Sequence, residues 1–394
     1  MSRRLIARSP DLLRLQNEGF DISVQGGYLL VLNVPYVNAS RAVRLGTLIS
    51  SLELAGDVTV KPANHVAYWT GEHPCHHDGR KISAFENPSA PQDFGDGIRA
   101  DFTFSAKADY RDYHHKMTTY LGRIVAEAQA IDPSATAQRF SPIAVEDGSS
   151  VFVYEDTASS RAGTGALNEK FVGRRIGVAG LGGTGSYVLD LVAKTPVAEI
   201  HLFDGDNLLQ HNAFRAPGAA TLARLRGKPK KVAYFAEMYS HMRRGIIPHA
   251  MFLDETNVDA LSGLDFVFLC IDRAPAKRTI VRYLDAHRIP FIDVGMGVLR
   301  NEDGLLGGIV RVTTSTPETR TEAAPHISFS DDDGGINEYT KNIQIADLNA
   351  LNASLAVGRW KRLVGFYRDA RREYYSGYSI ASGQIVNEGV DKCG

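Results

Sequence analysis

Four glycines fall within six positions, Gly180, Gly182, Gly183 and Gly185, directly after the run RRIGVA at 174–179. A short β-branched run of this kind suits a parallel strand buried on both faces. Glycine permits the tight turn after it and lets backbone N–H groups approach an anion closely. A helical pattern starts near Thr184, so the positive end of a helix dipole faces the same turn. The next strand, EIHLFD at 199–204, ends in Asp204, about 20 residues beyond the turn, where a carboxylate can take ribose hydroxyls. Strand, glycine turn, helix, strand and acid together predict an α/β, Rossmann-like, mostly parallel sheet with helices on both faces, built around a nucleotide.

The rest of the chain must be organised around that unit. A chain of 394 residues exceeds what one core usually supports, so two domains are expected. The segment DPSATAQRFSPIAVEDGSS is polar and rich in Pro, Ser and Gly, like a connection. Before it, FDISVQ, GYLLVLNV, TLISSLEL and HVAYWTG read as strands of an antiparallel meander, with turns at Gly26-Gly27 and near Gly56. Tyr113, Met117, Leu121 and Val125 recur every four residues and predict a helix. The expected division is a smaller α+β domain over residues 1–135, a connection over 136–160 and the nucleotide domain over 161–394.

Charge and cysteine usage narrow the function classes. The 44 basic and 45 acidic residues give a formal net charge of -1, which excludes a dedicated, strongly basic nucleic-acid binder. Cys75, Cys270 and Cys393 are far apart and odd in number, so a disulfide framework is not expected and a reducing cytoplasm fits. The basic start MSRRLIARSPDLLRLQ is followed by no apolar run of signal-peptide length, and no stretch approaches a membrane span.

A hydride-transfer enzyme has no need of the residues that come next. Asp204-Gly205-Asp206 leads into His211-Asn212-Ala213-Phe214-Arg215, then Pro229-Lys230. A further strand, LDFVFLCID, ends in Asp272, with Lys277 and Arg278 close behind. Cations, an amide and a second strand-end acid thus converge on the carboxyl edge of the sheet, where open α/β sheets bind ligands. That set suits a nucleoside triphosphate with magnesium, undergoing displacement at phosphorus.

These motifs resemble the ThiF/MoeB/ubiquitin-activating-enzyme superfamily over roughly residues 155–365. The pattern G-x-G-G-x-G, D-x-D, S-N-L-x-R-Q, P-K and a strand-end Asp stands here as Gly180–Gly185, Asp204-Gly205-Asp206, His211–Ala216, Pro229-Lys230 and Asp272. His211 replaces Ser and Ala216 replaces Gln, departures that bear on how the triphosphate is positioned. The resemblance implies ATP-dependent adenylation of the C-terminal glycine of a ubiquitin-like protein. Asp204 would hold the ribose beside Asp206; Asn212, Arg215 and Lys230 would hold the phosphates; Asp272 would ligate magnesium. It also implies a homodimer, in which Arg161 reaches the neighbour's phosphates. Sulfur-carrier adenylation is an alternative product of the same chemistry, and a non-catalytic nucleotide-binding scaffold is an alternative of another class.

The acceptor of the activated acyl group has several candidates. The paired CxxC zinc sites of several relatives are absent, and the loop RVTTSTPETRTEAAPHISFSDDDGG carries no cysteine. Thr314, Ser315 and Thr316 are weak hydroxyl candidates, Cys270 reads as core and Cys393 as a tail without a role. In the first part, HVAYWTGEHPCHHDGRKISAF faintly resembles the ubiquitin-conjugating fold, with His73-Pro74-Cys75 and Asp78-Gly79-Arg80 in its order. Ser83 stands near that fold's cysteine position. Cys75 is the other candidate acceptor, because His73, His76 and His77 could lower its pKa; the same cluster could instead dock a partner or bind a metal. The two-part layout resembles bacterial proteins linked to ubiquitin-like conjugation, with a conjugating-type partner a further implication.

Overall fold

A computed structural model of the chain describes residues 2–87, 90–145, 148, 150–329 and 343–390. Cys393 lies outside the described residues. The chain divides into two compact units, one of residues 1–143 with 156–164, the other of 144–155 with 165–394.

In the first unit, strands β1 (Ile22–Gln25), β2 (Tyr28–Val37), β3 (Val43–Ser51), β4 (Val66–Thr70), β5 (Glu86–Asn87) and β6 (Phe102–Ser105) form a six-stranded sheet in the order β1-β2-β3-β4-β6-β5. Every pairing is antiparallel. Gly26 and Gly27, at φ +54° and +81°, make the two-residue turn between β1 and β2, a conformation that glycine adopts without steric cost. Two short helices, α1 (Ser2–Arg8) and α2 (Pro10–Asn17), precede the sheet, and α3 (Tyr113–Ile131) packs on it. Asp112 caps α3 by accepting the His115 N–H at 2.7 Å. Tyr113, Met117, Tyr120, Leu121 and Ile124 bury one face of α3 against Trp69 and Phe104. Lys116 lies on that face too, buried, with its amine on Ser50 Oγ at 2.9 Å.

The second unit is an eight-stranded sheet. Its strands are β7 (Arg175–Ala179), β8 (Glu199–Phe203), β9 (Ile246–His249), β10 (Phe266–Leu269), β11 (Phe291–Arg300), β12 (Leu306–Ser315), β13 (Glu373–Ser379) and β14 (Ile385–Gly389). They lie in the order β9-β8-β7-β10-β11-β12-β13-β14. The first five are parallel and the last three pairings antiparallel. Alternate residues face opposite layers. Ile176, Val178, Ile200, Leu202, Phe266 and Phe268 pack on α4 (Gly183–Ala193), α5 (Lys231–Ser240) and α7 (Ala346–Leu363). Ala179, Phe203, Val267 and Leu269 pack on α6 (Ala274–Ala286). The architecture is the expected one, a Rossmann-like, mostly parallel sheet covered on both faces and preceded by a smaller antiparallel α+β unit.

Part of the polar segment between the meander and the glycine strand is integral to this second unit. Arg244 donates to the carbonyls of Val145 (3.0 Å), Ser150 (3.2 Å) and Phe152 (3.2 Å), and its N–H to that of Val151 (2.7 Å). Residues 156–164 belong to the first unit.

Candidate functional site

β7 is central, with β8 on one side and β10 on the other, so the chain reverses its lateral direction there. Such a switch point opens a crevice at the carboxyl ends of the strands. The glycine turn occupies it, and its four glycines answer to different demands. Gly180 has φ +88°, and a Cβ there would come within 2.5 Å of the Cys270 carbonyl oxygen. A Cβ on Gly185 would strike the Gly180 carbonyl, and one on Gly183 the Asn349 side chain. Gly182 is different: its φ is -69° and nothing lies within 4 Å of an added Cβ. Neither φ nor packing demands glycine at 182, which stands with open space around it at the start of α4, the end of a helix that suits an anion.

Asp204, at the end of β8, is buried. Its Oδ2 accepts the Leu181 N–H at 2.7 Å and its Oδ1 the Asp206 N–H at 2.8 Å, so this carboxylate holds the glycine turn in place. The adjacent lysines part company. Lys230 is exposed and donates to the Gly205 carbonyl at 2.6 Å. Lys231 is buried, 2.8 Å from Asp206 Oδ2 and 3.6 Å from Asp204 Oδ2. Lys231 is thus the counter-charge of the two acids, a role that sequence reasoning assigned to no residue; the need for a cation beside two strand-end carboxylates was the available signal.

Asn212 is buried in the short helix Gln210–Ala213, its Oδ1 accepting the Leu209 N–H at 2.9 Å. Its amide nitrogen makes no hydrogen bond with the described residues. Arg215 comes three residues later, half-buried, with its Nε enclosed and without a hydrogen-bond partner among the described residues. Burial lowers the Arg215 pKa and the charge of Asp272 pulls it back up, which places that exposed carboxylate within electrostatic reach. A buried donor left open is costly unless something binds to it. Arg215 therefore has one enclosed donor left open to an anion, within electrostatic reach of the Asp272 carboxylate.

Of the two cations behind Asp272, Lys277 turns inward. It forms a buried ion pair with Asp293 at 2.7 Å, while neither Asp293 oxygen has a well-directed hydrogen bond. Burial raises the Asp293 pKa, opposed by Lys277 and Arg311. Arg278 turns away, donating to the Phe329 carbonyl at 3.0 Å. Asn349 on α7 joins the turn through the Thr184 hydroxyl at 2.9 Å.

Residues 159–368, more than half of the chain, match the ThiF family. The chain belongs to that family. Residues 10–157 match a domain of unknown function, DUF6791. No curated protein matches. Among solved structures, E. coli MccB with ATP is similar at 18% identity and TM-score 0.45, over 58% of this chain and 67% of that one. E. coli MccB with MccA-N7isoASN gives 16% and 0.44, over 57% and 66%. PaaA gives 16% and 0.43, over 57% and 75%. The match with MccB thus spans about two thirds of that chain.

Of the expected site residues, Gly180, Gly182, Gly183, Gly185, Asp204, Asp206, Asn212, Arg215, Lys230 and Asp272 lie in the second unit, and Arg161, Cys75 and Ser83 in the first. Arg161 belongs to the first unit, where it donates to the Asn17 carbonyl at 2.8 Å and lies over the Phe140 ring at 5.3 Å. Thr314 and Ser315 are buried, and Thr316 is hydrogen-bonded to Thr319, so those hydroxyls are not presented to an acyl group. Cys270 is half-buried, and burial pushes its thiol up.

In the first unit the expected lowering of the Cys75 pKa is reversed. Cys75 is 1% exposed among Val37, Ala128 and Ala135, and burial pushes its thiol up. The imidazoles face elsewhere. His73 Nδ1 bonds the Pro74 carbonyl at 2.9 Å, and His76 and His77 both bond Glu127, at 2.7 and 2.9 Å. Burial raises the Glu127 pKa, but these hydrogen bonds outweigh it and hold the carboxyl at about 2. Among the described residues no group of three or more His, Cys, Asp or Glu side chains is arranged to hold a metal. Ser83 is exposed, at the start of a single 3-10 turn anchored by buried Phe85.

Proposed function

We propose that the chain is an ATP-dependent activating enzyme that adenylates the C-terminal glycine of a ubiquitin-like protein and passes it on for conjugation. The observation that carries this reading is Arg215, whose enclosed Nε has no hydrogen-bond partner among the described residues and whose charge feels that of Asp272, together with the open space around Gly182. A dinucleotide oxidoreductase would leave both residues without a task.

In this reading the ribose and base lie on the Asp204 side, and the triphosphate runs toward the start of α4. Asn212, Arg215 and Lys230 hold its oxygens; Lys230 exchanges a neutral carbonyl for an anion. Asp272 would hold magnesium, which supplies further charge neutralisation at the triphosphate. The partner's terminal carboxylate oxygen forms a bond to the α-phosphorus while the bond from that phosphorus to the β-bridging oxygen breaks, and pyrophosphate leaves. The nucleophile is already an anion, so no base is required; the work is positioning and charge stabilisation.

The first unit, read as conjugating-like, supplies two candidate acceptors. Ser83 presents an exposed hydroxyl, whereas Cys75 is enclosed, so an oxyester at Ser83 is favoured over a thioester. Attack there releases AMP, with the hydroxyl proton passing to solvent.

The test is ATP–pyrophosphate exchange, with the full chain and a ubiquitin-like protein ending in glycine. Exchange that depends on that protein and is lost in Asp272→Ala is the expected result. ATP binding without exchange would make the protein a scaffold and overturn the reading.

A further inference from the structure

Phe252 lies beyond β9, outside every hydrophobic core cluster, and is 48% exposed. It is nevertheless held. A Cβ on Gly205 would stand 2.6 Å from its ring, so the ring rests on the Gly205 backbone. The Arg273 guanidinium lies over it, 5.1 Å from the centroid. Asn257 Nδ2 donates to the Phe252 carbonyl at 2.9 Å and Asn257 Oδ1 accepts the Asp254 N–H at 2.9 Å, closing the loop on itself.

The two contacts of the ring are its significance. Gly205 directly succeeds Asp204, and Arg273 directly succeeds Asp272. β8 and β10 flank β7, so the ring, with the Arg273 side chain reaching over it, links the segments that follow these two strands. No core demands a phenylalanine there, and an exposed aromatic in water gains nothing from leaving its face open. A ribose held at Asp204 carries its base one sugar ring away, within reach of a ring seated on the next residue.

We propose that Phe252 is the base-stacking wall of the nucleotide pocket, clamped by Arg273, and that it favours a purine over a pyrimidine by the larger area it stacks. The inference rests on the nucleotide-site reading above and adds to it the selection of the base. Stacking on an aromatic face contributes enough for about a tenfold change in affinity. It acts on the base alone, because the phosphates lie at α4 and Arg215.

The experiment is equilibrium binding of ATP, CTP and inorganic tripolyphosphate to the full chain and to Phe252→Ala, Phe252→Tyr and Arg273→Ala. In Phe252→Ala, ATP is expected to bind about tenfold more weakly, tripolyphosphate unchanged, and the preference for ATP over CTP to collapse; Phe252→Tyr restores it. Arg273→Ala is expected to weaken ATP in the same sense. If Phe252→Ala does not fold, Phe252→Leu keeps bulk without a π-face and is expected to show the same selective loss. Unchanged ATP affinity in the folded variant, or equal loss of ATP and tripolyphosphate, overturns the stacking role and leaves the nucleotide reading standing. A parent chain that binds no ATP overturns that reading, and this inference with it.

Discussion

The Asn349 carboxamide fills the space that a Cβ on Gly183 would need. A residue of the late helix α7 thereby fixes the start of α4, and the two helices meet at the mouth of the nucleotide crevice. Gly183→Ala should lower stability by about 1–3 kcal/mol through overpacking, and removing the obstruction with Asn349→Ala should recover part of it. Gly182→Ala, with open space around it, should unfold like the parent chain yet bind ATP more weakly. Urea unfolding and ATP titration of the three variants check both halves.

Lys230 and Lys231 are neighbours with opposite consequences. Lys231→Met leaves Asp204 buried without its counter-charge, and a loss of about 3 kcal/mol of stability is expected. Lys230→Ala should leave the melting temperature within a degree or two and reduce exchange activity. Should the two variants behave alike, the division of labour between them is wrong.

Arg215→Ala and Asp272→Ala should each reduce the exchange rate about 100- to 1000-fold, the range for removing one preorganised electrostatic group. Circular dichroism and unfolding should match the parent chain, since Asp272 is exposed and Arg215 Nε bonds nothing among the described residues. Exchange at parental rates in either variant would remove the residue from the site.

Lys116 makes stability depend on alkaline pH. Burial lowers its pKa from 10.5 to about 8, with Glu53 pulling it partly back. Between those values the unfolded chain binds more protons than the folded one, so stability rises as pH climbs from 8 to 10.5. Below pH 8 the burial of the charge costs at most about 3 kcal/mol. Lys116→Met should therefore stabilise the first unit at pH 7, and the gap from the parent chain should close above pH 10. Urea midpoints across that range decide it.

The glycine turn, Asp204, Arg215 and Asp272 were legible because each is written locally, as strand, turn and terminal acid, or as a charge at fixed distance from them. Partners that come from afar were not. Asn349 lies on a helix of ordinary composition, and nothing in that helix announces that one amide will sit on Gly183. Asp293 reads as one more residue of an apolar strand until α6 brings Lys277 to it. The connection 136–160 reads as linker from its Pro, Ser and Gly content, yet the Arg244 guanidinium captures three of its carbonyls. Cys75 failed for the complementary reason: proximity in sequence to three imidazoles says nothing of where the rings point, and two of them point at Glu127.

The interleaving of residues 144–164 has a consequence for dividing the chain. The polypeptide enters the ThiF unit at 144, leaves it at 156 and re-enters at 165, so no single cut yields two intact pieces. A break before 144 strips the front half of its short helix at 157–161; a break after 164 leaves Arg244 with three carbonyls missing. A fragment that keeps all the contacts of either unit must therefore be assembled from two separate stretches of sequence.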